Sequence, residues 1–227
     1  MSGKLLVIPT PIGNLEDLSP RAKRALGEVQ VLACEDTRRT RTLFEALGIP
    51  SPPRLLHHHE HNEREAAPGL AKLISEGAVV GLVSDAGMPG LSDPGYRILS
   101  LCREQGLPVE VLPGPNAALT ALVASGLPSS SFTFKGFPPK KPGALKRFLD
   151  QEAAAAHTLI FYDSPFHIAK LLQACLLAYG DRPAALACEL SKRHERLYRG
   201  RLSQLAADLE KDAGKGEFVL VVGGATT

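Results

Sequence analysis

Tryptophan is absent from the 227-residue chain and aromatic residues make up only 5% of it, which limits any recognition that depends on stacking flat groups against side chains. No run approaches the roughly 18 uninterrupted apolar residues of a membrane-spanning helix, and the start, Met1 to Ile8, is too short for a signal peptide; the expectation is a cytoplasmic protein with no membrane partner. The four cysteines, Cys34, Cys102, Cys175 and Cys188, are far apart and lie in apolar stretches. Without a CxxC pair they suggest neither zinc nor a redox couple, and buried reduced thiols are expected. No G-x-G-x-x-G follows any strand-like run, which removes support for the common glycine-loop nucleotide site.

What is present is ordinary for a globular protein: 44% hydrophobic and 22% charged residues, enough for one or two domains. Net charge is only +2, but it is unevenly spread. Residues 1–130 carry 12 Lys+Arg against 14 Asp+Glu, whereas residues 131–227 carry 14 against 10. The basic second half offers a phosphate-facing surface or simply a solvated one.

Short aliphatic runs alternate with helix-like segments through the first half: strands Leu5 to Ile8, Val29 to Cys34, Val79 to Val83 and Val109 to Leu112, with helices opening at Ser19-Pro20, over Arg39 to Leu47 and over Tyr96 to Gln105. Such alternation predicts a mainly parallel sheet covered by helices. Pro113-Gly114-Pro115 interrupts this texture, so domains are placed at 1–113 and 114–227. The second half predicts a helix over Asn116 to Ala124 and strands at Phe132 to Lys135, Thr158 to Tyr162, Ala185 to Leu190, Arg196 to Arg199 and Phe218 to Val222. Helices are expected up to Ala156, up to Tyr179 and over Leu202 to Asp212.

The segment Val83 to Gly95 carries the most chemistry. It follows a buried strand, so it brings Asp85, Asp93 and several glycines to the carboxyl end of a sheet, where open α/β folds bind ligands. Asp93 is expected to cap a helix beginning at Pro94, which leaves Ser84, Asp85 and Gly87 without a structural task. In His57 to Glu63, alternate residues share a face of an extended chain, so His57, His59 and His61 have the types and spacing to meet a metal. No distant ligand set accompanies them, and no metal is expected. Asp36-Thr37-Arg38 reads as a strand end followed by a helix start, with Thr37 or Thr40 as cap.

The run Ser84 to Gly95 resembles the signature S-D-A-G-x-P-x-x-S-D-P-G of the ribosomal RNA small subunit methyltransferase I family, a branch of the tetrapyrrole methylases. Similar segments occur in order along nearly the whole chain: Thr10 to Leu15, Glu35 to Arg38, His59 to Glu63, Ser125 to Pro128, Gly136 to Lys140, Tyr162 to Pro165 and Cys188 to Lys192. Departures are mild: Met88 and Ser191 stand where threonine is usual, Asp163 where glutamate is usual, and Phe166 is unexpected. The resemblance implies an α/β protein of two α/β domains of the tetrapyrrole methylase type, with S-adenosylmethionine held in the cleft between them, and a homodimer. It implies methyl transfer to the ribose 2′-hydroxyl of a cytidine in the decoding region of small-subunit ribosomal RNA. Cofactor contacts carried over by position are Pro11, Ser84, Asp85, Gly87, Met88, Asn116, Ala117, Tyr162 and Leu190. The substrate side would comprise Asn14, Arg38, His59, Lys140 and Lys192, with Arg38 preferred to Arg39 or Arg41 for a phosphate.

A ribose hydroxyl needs a proton acceptor, and Asp36, His61, Glu63 and Asp85 have suitable chemistry. Glu63 and His61 are favoured, and Lys192 would assist if burial suppressed its charge. Two rivals remain at this point: a small-molecule methyltransferase acting on a porphyrin-like macrocycle, and a non-catalytic RNA-binding module.

Overall fold

The computed structural model describes residues 3–52, 54–211 and 216–225. The chain divides into two compact units, the first ending at Asn116 and the second starting at Ala117, just past the Pro113-Gly114-Pro115 interruption.

The first unit runs β1 (Lys4–Val7), α1 (Pro20–Glu28), β2 (Val31–Cys34), α2 (Thr37–Leu47), β3 (Arg54–His57), α3 (Glu63–Ser75), β4 (Val79–Leu82), α4 (Tyr96–Gln105) and β5 (Val109–Val111). Its five strands form one wholly parallel sheet in the order β3-β2-β4-β1-β5. Both faces are covered, and the alternation of side chains decides what each face meets. Leu5 and Val7 join Val31, Ala33, Val80 and Leu82 beneath α3 and α4, while Leu6 and Ile8 join Leu32 and Cys34 beneath α1 and α2. Ser19 caps α1 as expected, its hydroxyl accepting from the Ala22 N–H at 3.1 Å with Pro20 in the first helical position.

Both β3 and α3 escape the sequence reading. β3 is a four-residue edge strand whose side chains are at most half-buried, so it lacks an apolar signature. α3 carries Pro68 inside it, a residue that removes a helical hydrogen bond and normally signals a break. Packing of Ala67, Leu70, Ala71 and Ile74 against the sheet outweighs that cost.

The second unit runs α5 (Ala117–Ser125), β6 (Phe132–Phe134), α6 (Pro142–Asp150), β7 (Thr158–Asp163), α7 (Ile168–Tyr179), β8 (Pro183–Cys188), β9 (Arg196–Arg201), α8 (Leu202–Lys211) and β10 (Phe218–Val222). The sheet order is β6-β7-β10-β8-β9, parallel between β6 and β7 and antiparallel elsewhere. Leu159, Phe161, Leu186, Cys188, Leu220 and Val222 pack against α6, α7 and α8. α6 ends at Asp150 rather than Ala156, because the following alanines continue only as turns. Asp212, the expected end of the last helix, lies outside the described residues. All four cysteines are free and buried. Among the described residues, no helix is long and apolar enough to cross a membrane.

Candidate active site

The strand order of the first unit creates a switch point. From β1 the chain crosses through α1 on one face of the sheet, whereas from β4 it crosses through α4 on the other. The loops leaving these two adjacent strands therefore diverge and open a crevice at their carboxyl ends. They are tied by an antiparallel bridge: Thr10 N–H donates to Gly87 O at 2.9 Å and Gly87 N–H to Thr10 O at 3.1 Å. The Thr10 hydroxyl donates to Ser84 O at 3.1 Å. Gly87 adopts φ +84°, and a Cβ there would approach Ile12 Cγ2 at 3.3 Å, so both conformation and space call for glycine.

Beside this bridge lies a cavity of about 210 Å³ lined by Thr10, Pro11, Gly13 and Leu15 from the first loop, Arg39, Thr40 and Leu43 from α2, and Val83, Ser84 and Asp85 after β4. Ligand pockets usually span roughly 300–1,000 Å³, so this cavity is smaller than a typical ligand site. Hydroxyls, main-chain groups and a carboxylate give the wall polar partners beside its apolar side chains.

Asp85 is the hub. Its Oδ1 accepts from the Asp36 N–H at 3.2 Å, its Oδ2 pairs with Arg39 at 3.2 Å, and its own N–H donates to Glu35 Oε1 at 3.2 Å. Glu35, the residue after β2, belongs to a recognised segment, yet the sequence reading gave it no role. Burial pushes its carboxyl up; the Asp85 N–H opposes this, the Asp85 charge adds to it and Arg39 opposes it. A carboxylate immediately after a buried parallel strand was the available signal.

Asp36 itself caps α2, its side chain accepting from the Arg38 N–H at 2.8 Å. The helix therefore starts at Thr37, not Arg39, and neither threonine is the cap. The Arg38 guanidinium folds onto the Asp36 carboxylate at 2.9 Å, holding that carboxyl well below its usual range. An anion in such a pair is a poor proton acceptor, which argues against Asp36 as base. Arg38 is 86% exposed and absent from the cavity wall, whereas Arg39 lines it. Asn14 caps a short 3₁₀ turn, Leu15–Asp17, by accepting from the Glu16 N–H at 3.0 Å.

Glu63 has a structural task in the first unit. Its Oε1 accepts from the N–H groups of Gly95 and Arg97 at 2.9 and 2.7 Å, so a carboxylate from the start of α3 satisfies the amino end of α4. That helix begins at Tyr96 after Gly95, and Asp93 is not its cap. Glu63→Ala is expected to destabilise the protein by about 1–2 kcal/mol, the usual value of a lost cap, with Glu63→Gln closer to wild type. Thermal unfolding checks this, and a loss of turnover in the Gln variant at unchanged stability would restore Glu63 as proton acceptor.

The histidines do not converge. His57 is exposed, His58 is buried with neither ring nitrogen hydrogen-bonded, and His59 and His61 meet edge to face at 6.0 Å. Among the described residues, no group of three or more His, Cys, Asp or Glu side chains is placed to hold a metal ion. Burial pushes the His58 ring down, with Glu63 opposing and His59 assisting. The His59 N–H donates to Asn62 Oδ1 at 2.8 Å, which shapes the turn into α3.

In the second unit, Tyr162 packs edge-on against Phe134 and Phe137, with centroids at 4.8 and 5.4 Å, and its hydroxyl accepts from the Ala118 N–H at 3.0 Å. This anchors the start of α5, where Ala117 lies directly after Asn116. Leu190 is buried after β8, between Glu189 and Ser191, which take φ values of 53° and 63°. Together with Ser92 at φ 63°, these are the described non-glycine residues in the left-handed region. All three fall in the recognised segments Ser84 to Gly95 and Cys188 to Lys192. Such conformations cost of order 1–3 kcal/mol each and collect at functional sites. Lys192 pairs with Glu189 at 2.8 Å and Glu217 at 3.1 Å. Burial acts to lower its pKa but the two carboxylates outweigh it and raise it, so its charge is held rather than suppressed. Lys140 is exposed on the rim of a small pocket with Pro138, Pro139, Asp163, His167 and Lys170.

The family model of the Tetrapyrrole (Corrin/Porphyrin) Methylases matches residues 4–206. A protein of Micromonospora olivasterospora named ribosomal RNA small subunit methyltransferase I is 44% identical over 99% of this chain and 71% of its own length. The chain belongs to the ribosomal RNA small subunit methyltransferase I family of tetrapyrrole methylases. A Thermotoga maritima protein of the same name is 38% identical over 98% of this chain and 99% of its own. The structure of uroporphyrin-III C-methyltransferase from Thermus thermophilus complexed with S-adenyl homocysteine superposes with a TM-score of 0.64 at 22% identity, covering 97% of each chain. At that identity the likeness carries the fold, two α/β units. Family membership makes the chain a methyltransferase that uses S-adenosylmethionine.

Proposed function

We propose that this methyltransferase acts on small-subunit ribosomal RNA, at the ribose 2′-hydroxyl of a cytidine in the decoding region, and works as a cytoplasmic homodimer. The names of its relatives support the RNA substrate. The observation that carries the chemistry is the Asp85 hub in the wall of the switch-point cavity, a carboxylate beside an arginine and three hydroxyl-bearing residues, Thr10, Thr40 and Ser84.

S-adenosylmethionine, when bound, supplies an electrophilic methyl group that carries its own leaving group. The protein's task is then to hold the ribose oxygen in line at a near-attack separation of about 3–3.5 Å and to take its proton. Asp85 is proposed as acceptor, because it lines the cavity, while Glu63 caps a helix and Asp36 is absent from the cavity wall. His61, exposed at the same end of the sheet, is the reserve. Arg39 is proposed to bind a neighbouring phosphate, with Asn14, Arg38, His59, Lys140 and Lys192 as outer contacts. Pro11, Ser84, Gly87 and Met88 in the first unit, Asn116 at its end, and Ala117, Tyr162 and Leu190 in the second are proposed cofactor contacts, many through the main chain. Incubation with tritiated cofactor and either ribosomal subunits or a tetrapyrrole, followed by nuclease mapping of ribose methylation, is expected to label the RNA alone. Label in the tetrapyrrole, or on a base, overturns this reading; sedimentation checks the dimer.

A further inference from the structure

We infer that Glu35 is a positioning residue of the methyl-transfer site: its carboxylate anchors the Asp85 main chain and so holds the Asp85 carboxylate where it can take the substrate's proton. The inference rests on the proposed function above and adds a residue to its machinery.

The geometry is reciprocal. Glu35 Oε1 receives the Asp85 N–H while the next residue, Asp36, gives its own N–H to Asp85 Oδ1, each at 3.2 Å. Two adjacent residues at the end of β2 thus fix both the backbone and the side chain of the residue after Ser84. Arg39 pairs with the outer oxygen of the same carboxylate at 3.2 Å, so the Asp85 side chain is held from two sides while Glu35 holds its main chain. Glu35 is half-buried, where like charges are less screened than at the surface, and its own carboxyl is pushed up, first by burial.

The ionisable surroundings are few. Asp36 and Arg39 stand at the start of α2, with Arg38 turned onto Asp36. Cys34 ends β2, its thiol pushed up chiefly by burial, and His58 leaves β3 with its N–H on Cys34 O at 2.8 Å. The residues that the first loop presents to the cavity, Thr10, Pro11, Gly13 and Leu15, bring no charge. Proton flow balances without a further reactant: the hydroxyl proton passes to Asp85 as the oxygen bonds to the methyl carbon and the carbon–sulfur bond breaks, and water then removes it.

The test is kcat on ribosomal subunits for the full chain, set against cofactor affinity by calorimetry. Glu35→Gln keeps an acceptor for the Asp85 N–H and should hold kcat within about twofold of wild type, whereas Glu35→Ala removes the acceptor and should lower kcat about tenfold. Cofactor affinity in Glu35→Ala should change by less than kcat, a split that general unfolding would not give. A Glu35→Ala rate within about twofold of wild type, or equal rates for Glu35→Gln and Glu35→Leu if the alanine variant does not fold, overturns the inference. Asp85→Asn retaining the full rate would instead overturn the choice of acceptor, and wild-type protein inactive on RNA would overturn the function.

Discussion

Asp85→Asn is expected to lower methyl transfer to ribosomal RNA by about 10²–10⁴-fold, the usual worth of a positioned proton acceptor. Asparagine keeps a side-chain oxygen for the Asp36 N–H and a main-chain N–H for Glu35, so the loop should hold its shape. Only the charge and the basic site are lost. Calorimetry should therefore find cofactor affinity nearly unchanged while single-turnover label transfer collapses. A rate within a few-fold of wild type would pass the proton to His61.

Gly87→Val is the second large effect. The residue sits at φ +84° in the middle of the bridge to Thr10, and its new side chain would grow from a Cβ only 3.3 Å from Ile12 Cγ2 and 3.7 Å from Pro115 O. A β-branched residue in the left-handed region is a genuine outlier, costing about 1–3 kcal/mol before any clash. The bridge should open, separating the two loops that frame the crevice. Cofactor affinity is expected to fall at least about tenfold, the equivalent of about 1.4 kcal/mol, and the melting temperature to drop with it. Tight binding in Gly87→Val would show that the main chain here does not face the cofactor.

The legible parts of the chain are those where local chemistry and tertiary demand agree. Buried aliphatic runs such as Leu5 to Ile8 and Phe218 to Val222 became strands because a sheet covered on both faces needs continuous apolar side chains. Ser19-Pro20 began a helix where two preferences coincide. β3 and α3 were invisible because one is a half-exposed edge strand and the other a helix holding a proline, and each exists through packing rather than propensity. Among site residues, the segments were legible but the hydrogen bonds each side chain makes were not. Glu63 looked like a base because nothing in the sequence says that Gly95 and Arg97 lie above it, 32 and 34 positions later. Arg38 and Arg39 are neighbours of equal chemistry, and only the turn of α2 aims one at Asp36 and the other at Asp85.

The sequence by itself determined the family, the α/β class and the reaction type, because twelve consecutive residues of special backbone chemistry, Ser84 to Gly95, are hard to arrive at for another reason. Tertiary structure alone decided which carboxylate faces the cavity. Asp36, Glu35, Asp85 and Glu63 are equivalent acids on paper; they part company because parallel strands bring residues nearly 50 positions apart within hydrogen-bond reach. There an amide, a guanidinium or a helix end claims each oxygen in a different way.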